Sequence, residues 1–292
     1  MSAAKPDVLS RNMDQDVPGL LRELRLPTMA SELGDTTKRA EANDWSPQVF
    51  LGHLAAAEVE ARRVRRVERN LKASHLPAGK TLETLDLKRY ALKTRRQVAS
   101  LVSGEFLDRA DNVLLFGLPG RGKSHMAVAI GHELVQLGHR VLFTPTYQLV
   151  QRLLIAKREL ELEKLLCRLD KFECVILDDI GYVQQDREEI EVLFTFLGER
   201  YERRSVIVTS NLVFSKWDRI FKDPMTTACA IERLVHHSTI LELVRKKSHR
   251  LEEAEKRNRG VDLNSPETSA VDRMNAADTI ADTDQERAES KQ

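Results

Sequence analysis

The 292-residue chain has few cysteines, few aromatic residues and no long apolar segment. Its three cysteines, Cys167, Cys174 and Cys229, are odd in number and form no C-x-x-C pair. This excludes a disulfide framework and a cysteine-based metal site and favours a reducing compartment. An aromatic share of 5% argues against a stacking platform for nucleic-acid bases. Because no signal pattern or apolar run of about 18 residues is present, we expect a soluble, cytoplasmic protein with no membrane partner.

The net charge of +1 conceals a strong segregation of charge along the chain. Residues 62–96 hold twelve lysines and arginines against three acids. Such a stripe attracts the phosphates of duplex DNA regardless of base sequence, although a solvated helix or a protein-binding surface is the alternative interpretation. The candidate DNA contacts lie in this stripe and near the end of the core: Arg62, Arg63, Arg65, Arg66, Arg69, Arg245, Lys246, Lys247 and Arg250.

A complete phosphate cradle follows the apolar run at residues 113–116. Its pattern is G-x-x-x-x-G-K-[ST], and a helix is predicted to begin near Lys123. The glycines let backbone N–H groups wrap the β- and γ-phosphates of ATP, and the helix start adds partial positive charge. We expect Lys123 to bridge phosphate oxygens and Ser124 to ligate Mg²⁺. The cradle consists of Gly117, Leu118, Pro119, Gly120, Arg121, Gly122, Lys123 and Ser124.

Polar residues end two later apolar runs, and they supply the second half of a candidate active site. Asp178 and Asp179 follow residues 175–177, and Asn211 comes shortly after residues 205–209. We expect Asp178 to hold Mg²⁺, directly or through water, and Asp179 to polarise the attacking water. Asn211 can reach toward the γ-phosphate. The alternative is that these residues only form turns after core strands.

Two features near residue 235 indicate a function less clearly than the cradle does. Arg233 precedes the last predicted strand, where it is either an arginine finger that enters a neighbouring subunit's nucleotide site or an ordinary surface arginine. If it is a finger, the protein must form a homo-oligomer to be active. The adjacent pair His236 and His237 has no ligand partner at metal spacing, so we interpret it as structural.

Strand and helix patterns alternate after residue 101, which predicts a parallel α/β sheet flanked by helices. The predicted strands are residues 113–116, 140–144, 174–177, 205–209 and 238–243. About 55 residues separate the cradle from Asp178. This leaves room for an extra strand, as in the additional-strand P-loop ATPases rather than small nucleotide kinases. We predict four segments: a helical N-terminal domain (1–76), a basic linker (77–100), an ATPase core (101–259) and an acidic disordered tail (260–292).

Over residues 17–259 the chain resembles the AAA+ superfamily, and within it the IstB-like transposition helper ATPases, which are related to DnaC-type helicase loaders. The similarity is carried by residues 116–125, which include His125, and by residues 177–182, 209–212 and 223–237. Residues 24–29 are similar to the domain by which these helpers contact their transposase. The resemblance implies an ATPase that binds duplex DNA without sequence preference, assembles on it with ATP as a ring, spiral or filament, and stimulates a partner transposase.

The resemblance also implies residue roles. Lys123 and Ser124 hold phosphate and Mg²⁺, Asp178 holds Mg²⁺, Asp179 activates water, Asn211 is a sensor and Arg233 is the finger; His125 joins the ATP-binding residues. Two departures stand out: Asp179 replaces the longer Glu of many members, and little or no helical lid domain follows the core.

Two alternative functions stay open. A DnaC-like loader of a replicative helicase would prefer single-stranded DNA. A small-molecule kinase ranks last because no acceptor site is evident.

Overall fold

The computed structural model describes residues 13–180, 187–212, 217 and 232–243. Several sequence predictions fall outside these ranges: those for Arg245, Lys246, Lys247, Arg250, Cys229, the tail at 260–292 and the question of a lid after the core. Within the described chain all five predicted strands are confirmed, and they form one parallel sheet in the order β2-β3-β4-β1-β5. None of the described helices has the length and apolar character needed to cross a membrane.

The elements follow one another as three helices and then an alternating α/β core. The helices are α1 (Met13–Glu23), α2 (Pro27–Ala42), α3 (Pro47–Ser74), α4 (Leu92–Leu101), α5 (Glu105–Asp108), α6 (Lys123–Gln136), α7 (Thr146–Arg158), α8 (Leu162–Leu169) and α9 (Arg187–Arg200). The strands are β1 (Asn112–Phe116), β2 (Val141–Pro145), β3 (Cys174–Asp178), β4 (Ser205–Ser210) and β5 (Ser238–Glu242). A short 3₁₀ helix spans Leu87–Arg89, and residues 232–235 form one helical turn before β5.

The central strands are apolar on both faces because helices cover both faces of the sheet. Along β1 the side chains alternate between two hydrophobic cores. Val113 and Leu115 pack with residues of α4 and α6, whereas Leu114 and Phe116 pack with residues of α7, α8 and α9. This period of two places one core on each side of the sheet.

The spatial order of the strands differs from their order in the chain. β4 lies between β1 and β3, and β2 lies at the edge beyond β3. Leu115 pairs with Thr209, and Leu177 pairs with Val208. Because the strands are parallel, their carboxyl ends share one edge of the sheet. The end of β4 therefore separates the cradle after β1 from the carboxylates after β3.

α3 connects the N-terminal helices to the α/β core. At its start the Ser46 hydroxyl accepts a hydrogen bond from the N–H of Val49, and Pro47 occupies the first turn. Near its middle, the Glu58 carboxylate accepts hydrogen bonds from the N–H groups of Thr28 (2.8 Å) and Met29 (3.2 Å). Glu58 thus caps α2, whose own N-cap residue makes no side-chain cap.

The carboxyl-terminal part of α3 packs on the core. The Asn70 side chain donates hydrogen bonds to the carbonyls of Gly138 (2.8 Å) and His139 (3.2 Å), in the loop between α6 and β2. Val67 packs against the same hydrophobic core as α6. α3 therefore contacts α2 near its middle and the core near its carboxyl end.

The interval predicted as a basic linker, residues 77–100, contains the 3₁₀ helix and most of α4. Leu85, Tyr90 and Val98 belong to the same hydrophobic core as β1 and α6. The Gln97 amide donates a hydrogen bond to the carbonyl of Ile240 in β5. In the structure this interval is a packed layer on the core, and it reaches the phosphate cradle.

Hydrogen bonds from polar side chains connect the amino ends of the strands. The Asn112 amide donates to the carbonyls of Arg233 and Leu234, and its oxygen accepts from the N–H of Val206 at 3.0 Å. Arg200 is 2% exposed, and its guanidinium donates to four backbone carbonyls. Burial lowers the pKa of Arg200 to about 10. This edge is opposite the one that carries the cradle.

Candidate functional site

The phosphate cradle leads directly from β1 into α6. Gly122 precedes the helix with φ +90°, a left-handed conformation that side chains rarely adopt. A Cβ atom on Gly122 would also collide with the Tyr90 hydroxyl. The first N–H groups of α6 have no carbonyl partners within the helix, and they begin at Lys123, next to the loop. The geometry is that of an anion-binding helix start.

The Lys123 ammonium lies within the cradle. Its Nζ atom donates hydrogen bonds to the carbonyls of Gly117 (2.7 Å) and Leu118 (3.3 Å), and the residue is 9% exposed. The first carbonyls of the loop thus orient the amine toward the position of the phosphates. The bridging of phosphate oxygens by Lys123 stays a prediction.

Tyr90 contacts the cradle from residues 77–100, and no local pattern around it indicates this role. Tyr90 is 4% exposed, and its hydroxyl donates a hydrogen bond of 2.9 Å to the carbonyl of Arg121. The Tyr90 hydroxyl occupies the position that a Cβ atom on Gly122 would need, so this packing requires glycine at residue 122. Tyr90 therefore positions the last turn of the loop.

His125 faces the same packed layer. Its Nε2 atom lies 3.0 Å from the Thr84 hydroxyl and 3.2 Å from the carbonyl of Thr81. The residue predicted as part of the ATP site thus connects α6 with residues 81–84. Residues 77–100 thus contact this region at two points. Tyr90 bonds to the carbonyl of Arg121, and Thr81 and Thr84 lie within hydrogen-bond distance of His125.

Thr209 contacts both aspartates at the end of β3. Its hydroxyl donates a hydrogen bond of 2.7 Å to Asp178 Oδ1 and accepts one of 2.9 Å from the N–H of Asp179. Asp179 has φ +60°, so the chain turns sharply after Asp178. Because Thr209 lies on β4, next to β1, it connects the carboxylates to the cradle side of the sheet. This role was not predicted, since Thr209 looks like an ordinary strand residue.

Asn211 follows β4 at the same edge. It is half-buried, and its Oδ1 atom is enclosed without a hydrogen-bond partner among the described residues. A buried carbonyl oxygen without a partner costs stability, so its presence at a strand end beside the cradle is typical of a group that meets a ligand.

These residues fit ATP with Mg²⁺. The cradle supplies N–H groups and an ammonium for phosphate. Ser124 and Asp178 offer hydroxyl and carboxylate oxygens, the ligand class that Mg²⁺ prefers. Ser124 lies one residue into α6, and Asp178 ends β3 at the same edge of the sheet.

Arg233 lies away from this group. It precedes β5, and its carbonyl meets Asn112 at the amino end of β1, the edge opposite the cradle. The Arg233 guanidinium sits 4.2 Å from the ring centre of Phe194 on α9. An arginine at this edge cannot serve the nucleotide site of its own chain.

The arginines predicted to contact DNA are exposed on α3, but two of them are engaged within the N-terminal helices. Arg62 pairs with Glu58 (2.9 Å) and donates to the carbonyl of Arg25, and Arg65 donates to the Thr28 hydroxyl at 2.6 Å. Arg63 forms an exposed pair with Glu60. The remaining members of this set are Arg66, which lies beside Gly138, and Arg69.

Fold and site together define a P-loop ATPase of the AAA+ class: a five-stranded parallel sheet, a strand between the cradle and the carboxylates, and a complete cradle. A family model described as IstB-like ATP binding protein matches residues 19–257, and the chain belongs to this family.

Three relatives are described as ATP-binding proteins of insertion sequences. One from Sinorhizobium fredii is 45% identical and aligns over 77% of this chain and 76% of its own. The IS21 protein of Pseudomonas aeruginosa is 38% identical, over 81% and 89%. The IS5376 protein of Geobacillus stearothermophilus is 33% identical, over 82% and 96%. Among solved structures, the crystal structure of DnaI matches with a TM-score of 0.49 and 19% identity, over 59% of this chain and 96% of that one.

Proposed function

We propose that the protein is an ATP-dependent regulator of transposition. In this proposal it binds ATP with Mg²⁺, assembles as a homo-oligomer on duplex DNA without sequence preference, and stimulates and targets a partner transposase. Hydrolysis then controls the lifetime of the assembly. The observation that carries the proposal is family membership over most of the chain, together with relatives described as insertion-sequence ATP-binding proteins.

ATP binds in the cradle after a change in the hydrogen bonds of one side chain. The Lys123 ammonium moves from two loop carbonyls to the β- and γ-phosphates, which offer stronger charge-assisted hydrogen bonds. Ser124 and Asp178 hold Mg²⁺, which neutralises charge on the phosphates. The Thr209 hydroxyl keeps Asp178 oriented for this contact.

Hydrolysis depends on residues at the ends of β3 and β4. Asp179 orients and polarises the attacking water, and Asn211 contacts the γ-phosphate or that water. The Asp179 side chain is one methylene shorter than the Glu found in many AAA+ members. We therefore expect slow hydrolysis by the isolated protein and faster hydrolysis in the assembly.

Assembly would bring Arg233 of one subunit to the nucleotide site of the next. Its position at the edge opposite its own cradle suits a head-to-tail arrangement, in which unlike surfaces meet. Such an arrangement closes into a ring or continues as a spiral or filament. The guanidinium would leave the Phe194 ring, a contact worth about 1 kcal/mol.

DNA contact is assigned mainly to Arg63, Arg66 and Arg69. Arg62 and Arg65 already make hydrogen bonds within the N-terminal helices, so releasing them would cost packing of α2 on α3. The Arg63–Glu60 pair is exposed, and such pairs are worth less than about 1 kcal/mol. Phosphate can therefore replace Glu60 at little cost.

The transposase is expected to bind the N-terminal helices. Their outer surface exposes several large apolar side chains that the described chain does not cover: Leu20, Leu24, Val49, Leu51, Val59 and Val64. Large apolar side chains exposed to solvent are candidates for contact with a protein partner. This assignment agrees with the similarity of residues 24–29 to the transposase-contacting domain.

Electron microscopy of the purified protein on duplex DNA tests the proposal, with ATP, with ADP and without nucleotide. We expect assemblies on DNA with ATP, and none for Lys123→Ala under the same conditions. A paired measurement of DNA affinity against salt should give a shallower slope for Arg69→Ala, by about one unit if Arg69 neutralises one phosphate. The control is Arg39→Ala, an arginine on α2 that lies over the Trp45 ring.

Two outcomes would contradict this function. If Lys123→Ala assembled normally on DNA, ATP would not control assembly. If duplex DNA stayed bare in every condition while single-stranded DNA and a replicative helicase bound, the helicase-loader alternative would replace the transposition proposal. Addition of the cognate transposase then separates the two partners directly.

A further inference from the structure

We propose that Glu202, His236 and His237 form a surface site for a divalent transition-metal ion such as Zn²⁺, separate from the nucleotide site. One ligand atom from each of the three side chains lies within 4.8 Å of the others. All three residues are exposed, so an ion can reach them from solvent. The histidine pair looked structural from the sequence because Glu202 is distant in the chain, and only the fold brings it to the pair.

The backbone turn before β5 is what places both histidines on one side. Side chains of consecutive residues in a strand point to opposite faces. Here His236 and His237 follow the helical turn at residues 232–235 and lie in a turn themselves. Their rings meet edge to face with centres 4.2 Å apart. Both imidazoles therefore face the Glu202 carboxylate.

The distances leave space for an ion between the three groups. Glu202 Oε1 lies 3.9 Å from His236 Nδ1 and 3.7 Å from His237 Nε2, too far for direct hydrogen bonds. Two ligands bound tetrahedrally to Zn²⁺ at 2.0–2.2 Å lie about 3.4 Å apart. A shift of roughly 0.5 Å in the exposed carboxylate brings its two distances to the histidines to that spacing, and the two imidazoles, within 4.8 Å of each other, would adjust by rotation of their exposed side chains.

The supporting structure is rigid on both sides of the site. The N–H of His236 donates to the carbonyl of Glu232 at 2.9 Å, and the carbonyl of His237 accepts from the N–H of Asn112 at 2.7 Å. Glu202 follows α9 in a left-handed conformation, with φ +56°. The site therefore joins two segments whose backbones are already positioned.

The arginines that follow Glu202 in sequence do not pair with its carboxylate. The cations nearest in sequence to Glu202 are Arg203 and Arg204, and both pair with Asp170. The Tyr201 hydroxyl lies 3.0 Å from His236 Nδ1 and would give up this contact when the nitrogen binds a metal, which leaves the hydroxyl free to bond to another group at the site. Groups of this kind around a metal orient its ligands and raise affinity.

The donor set selects the class of ion. Two imidazoles and one carboxylate suit Zn²⁺, Co²⁺ or Ni²⁺, whereas Mg²⁺ takes oxygen ligands. Three protein ligands leave a fourth position for water or another ligand. The ion would not compete with the Mg²⁺ proposed at the nucleotide site, which lies at the other edge of the sheet.

The first test is isothermal titration of Zn²⁺ into the full-length protein, freed of metal with a chelator, with no histidine tag and no nucleotide. We expect one ion per chain, and binding at least about tenfold weaker in Glu202→Gln and in His237→Ala. Co²⁺ as a second probe should give the visible absorption of a four-coordinate ion in the wild-type protein only.

Controls distinguish this site from other donors. His53→Ala removes an exposed histidine of α3, and Cys167→Ser removes an exposed thiol; both should bind Zn²⁺ as the wild type does. Circular dichroism of Glu202→Gln without metal should match the wild type, because the side chain is exposed. If the wild type bound no Zn²⁺, or if Glu202→Gln and His237→Ala bound it as tightly as the wild type, the site would be excluded.

Discussion

The two edges of the sheet use buried polar side chains in opposite ways. At the amino edge, Asn112 and Arg200 make hydrogen bonds to backbone carbonyls from several strands and loops. At the carboxyl edge, Thr209 holds Asp178, while Asn211 Oδ1 is enclosed with no partner among the described residues. The amino edge uses most of its polar groups to join the strands, although Arg200 Nε and Ser205 Oγ are also buried there without a partner among the described residues. The polar groups of the carboxyl edge lie beside the phosphate cradle.

This difference shows where stability and function lie in the same sheet. A hydrogen bond from a charged donor to a buried carbonyl contributes about 1.5–3 kcal/mol, so changes at the amino edge should cost stability. At the carboxyl edge the proposed nucleotide would contact the polar groups, so changes there should cost binding or catalysis. Variants at each edge can test whether the separation holds.

The largest effect is expected for Lys123→Ala at the carboxyl edge. Loss of the ammonium removes charge-assisted hydrogen bonds to phosphate, and we expect ATP affinity to fall by about 100-fold or more. The free energy of unfolding should change little. Titration with a fluorescent ATP analogue and urea denaturation measure the two quantities. Equal loss of both would break the comparison.

Arg200→Met should show the reverse pattern at the amino edge. Four carbonyls lose the hydrogen bond from Arg200, and we expect the free energy of unfolding to fall by about 3 kcal/mol. ATP affinity of the folded fraction should be unchanged. Arg203→Met is the matched control, since Arg203 is exposed and its ion pairs contribute less than about 1 kcal/mol.

Thr209→Val sharpens the comparison within the carboxyl edge. Valine keeps the shape but removes the hydroxyl that orients Asp178, so kcat for ATP hydrolysis should fall by about 10- to 100-fold. ATP affinity should change much less, because the cradle is intact. Thr209→Ser should retain most activity. An unchanged kcat in Thr209→Val would show that Asp178 needs no such support.

A smaller effect is expected for Tyr90→Phe. The variant loses one hydrogen bond to the carbonyl of Arg121, worth about 1 kcal/mol, so ATP affinity should fall by roughly fivefold. Equilibrium binding of nucleotide measures the change. Tyr147→Phe, at an exposed tyrosine on α7, should bind ATP as the wild type does.

The smallest effect concerns acid stability at the amino edge. Burial alone would raise the pKa of Glu173, but hydrogen bonds from His139 and from the N–H of Arg140 outweigh it and hold the pKa below its usual value. This contribution to stability is present at neutral pH and is lost as pH falls through the lowered pKa. Urea denaturation from about pH 6 to pH 3 should therefore show a weaker pH dependence for Glu173→Gln.

Local patterns were enough to predict the strands and the cradle. Each strand is a short apolar run, and the cradle is contiguous from Gly117 to Ser124. The supporting contacts of Tyr90, Thr209 and Arg200 were not predictable, because each joins residues distant in the chain and no short motif marks them. Arg200 in particular resembles a solvated residue at the end of a helix, although the fold buries it.

α6 and α3 together connect the phosphate loop to the N-terminal helices. α6 begins at the phosphate loop. Just beyond its other end, the carbonyl of Gly138 accepts a hydrogen bond from Asn70 of α3. Glu58, where α3 holds α2, lies twelve residues from Asn70, or about 18 Å along the helix. A movement of α6 at the phosphate loop would therefore be transmitted along α3 to the place where the N-terminal helices are attached.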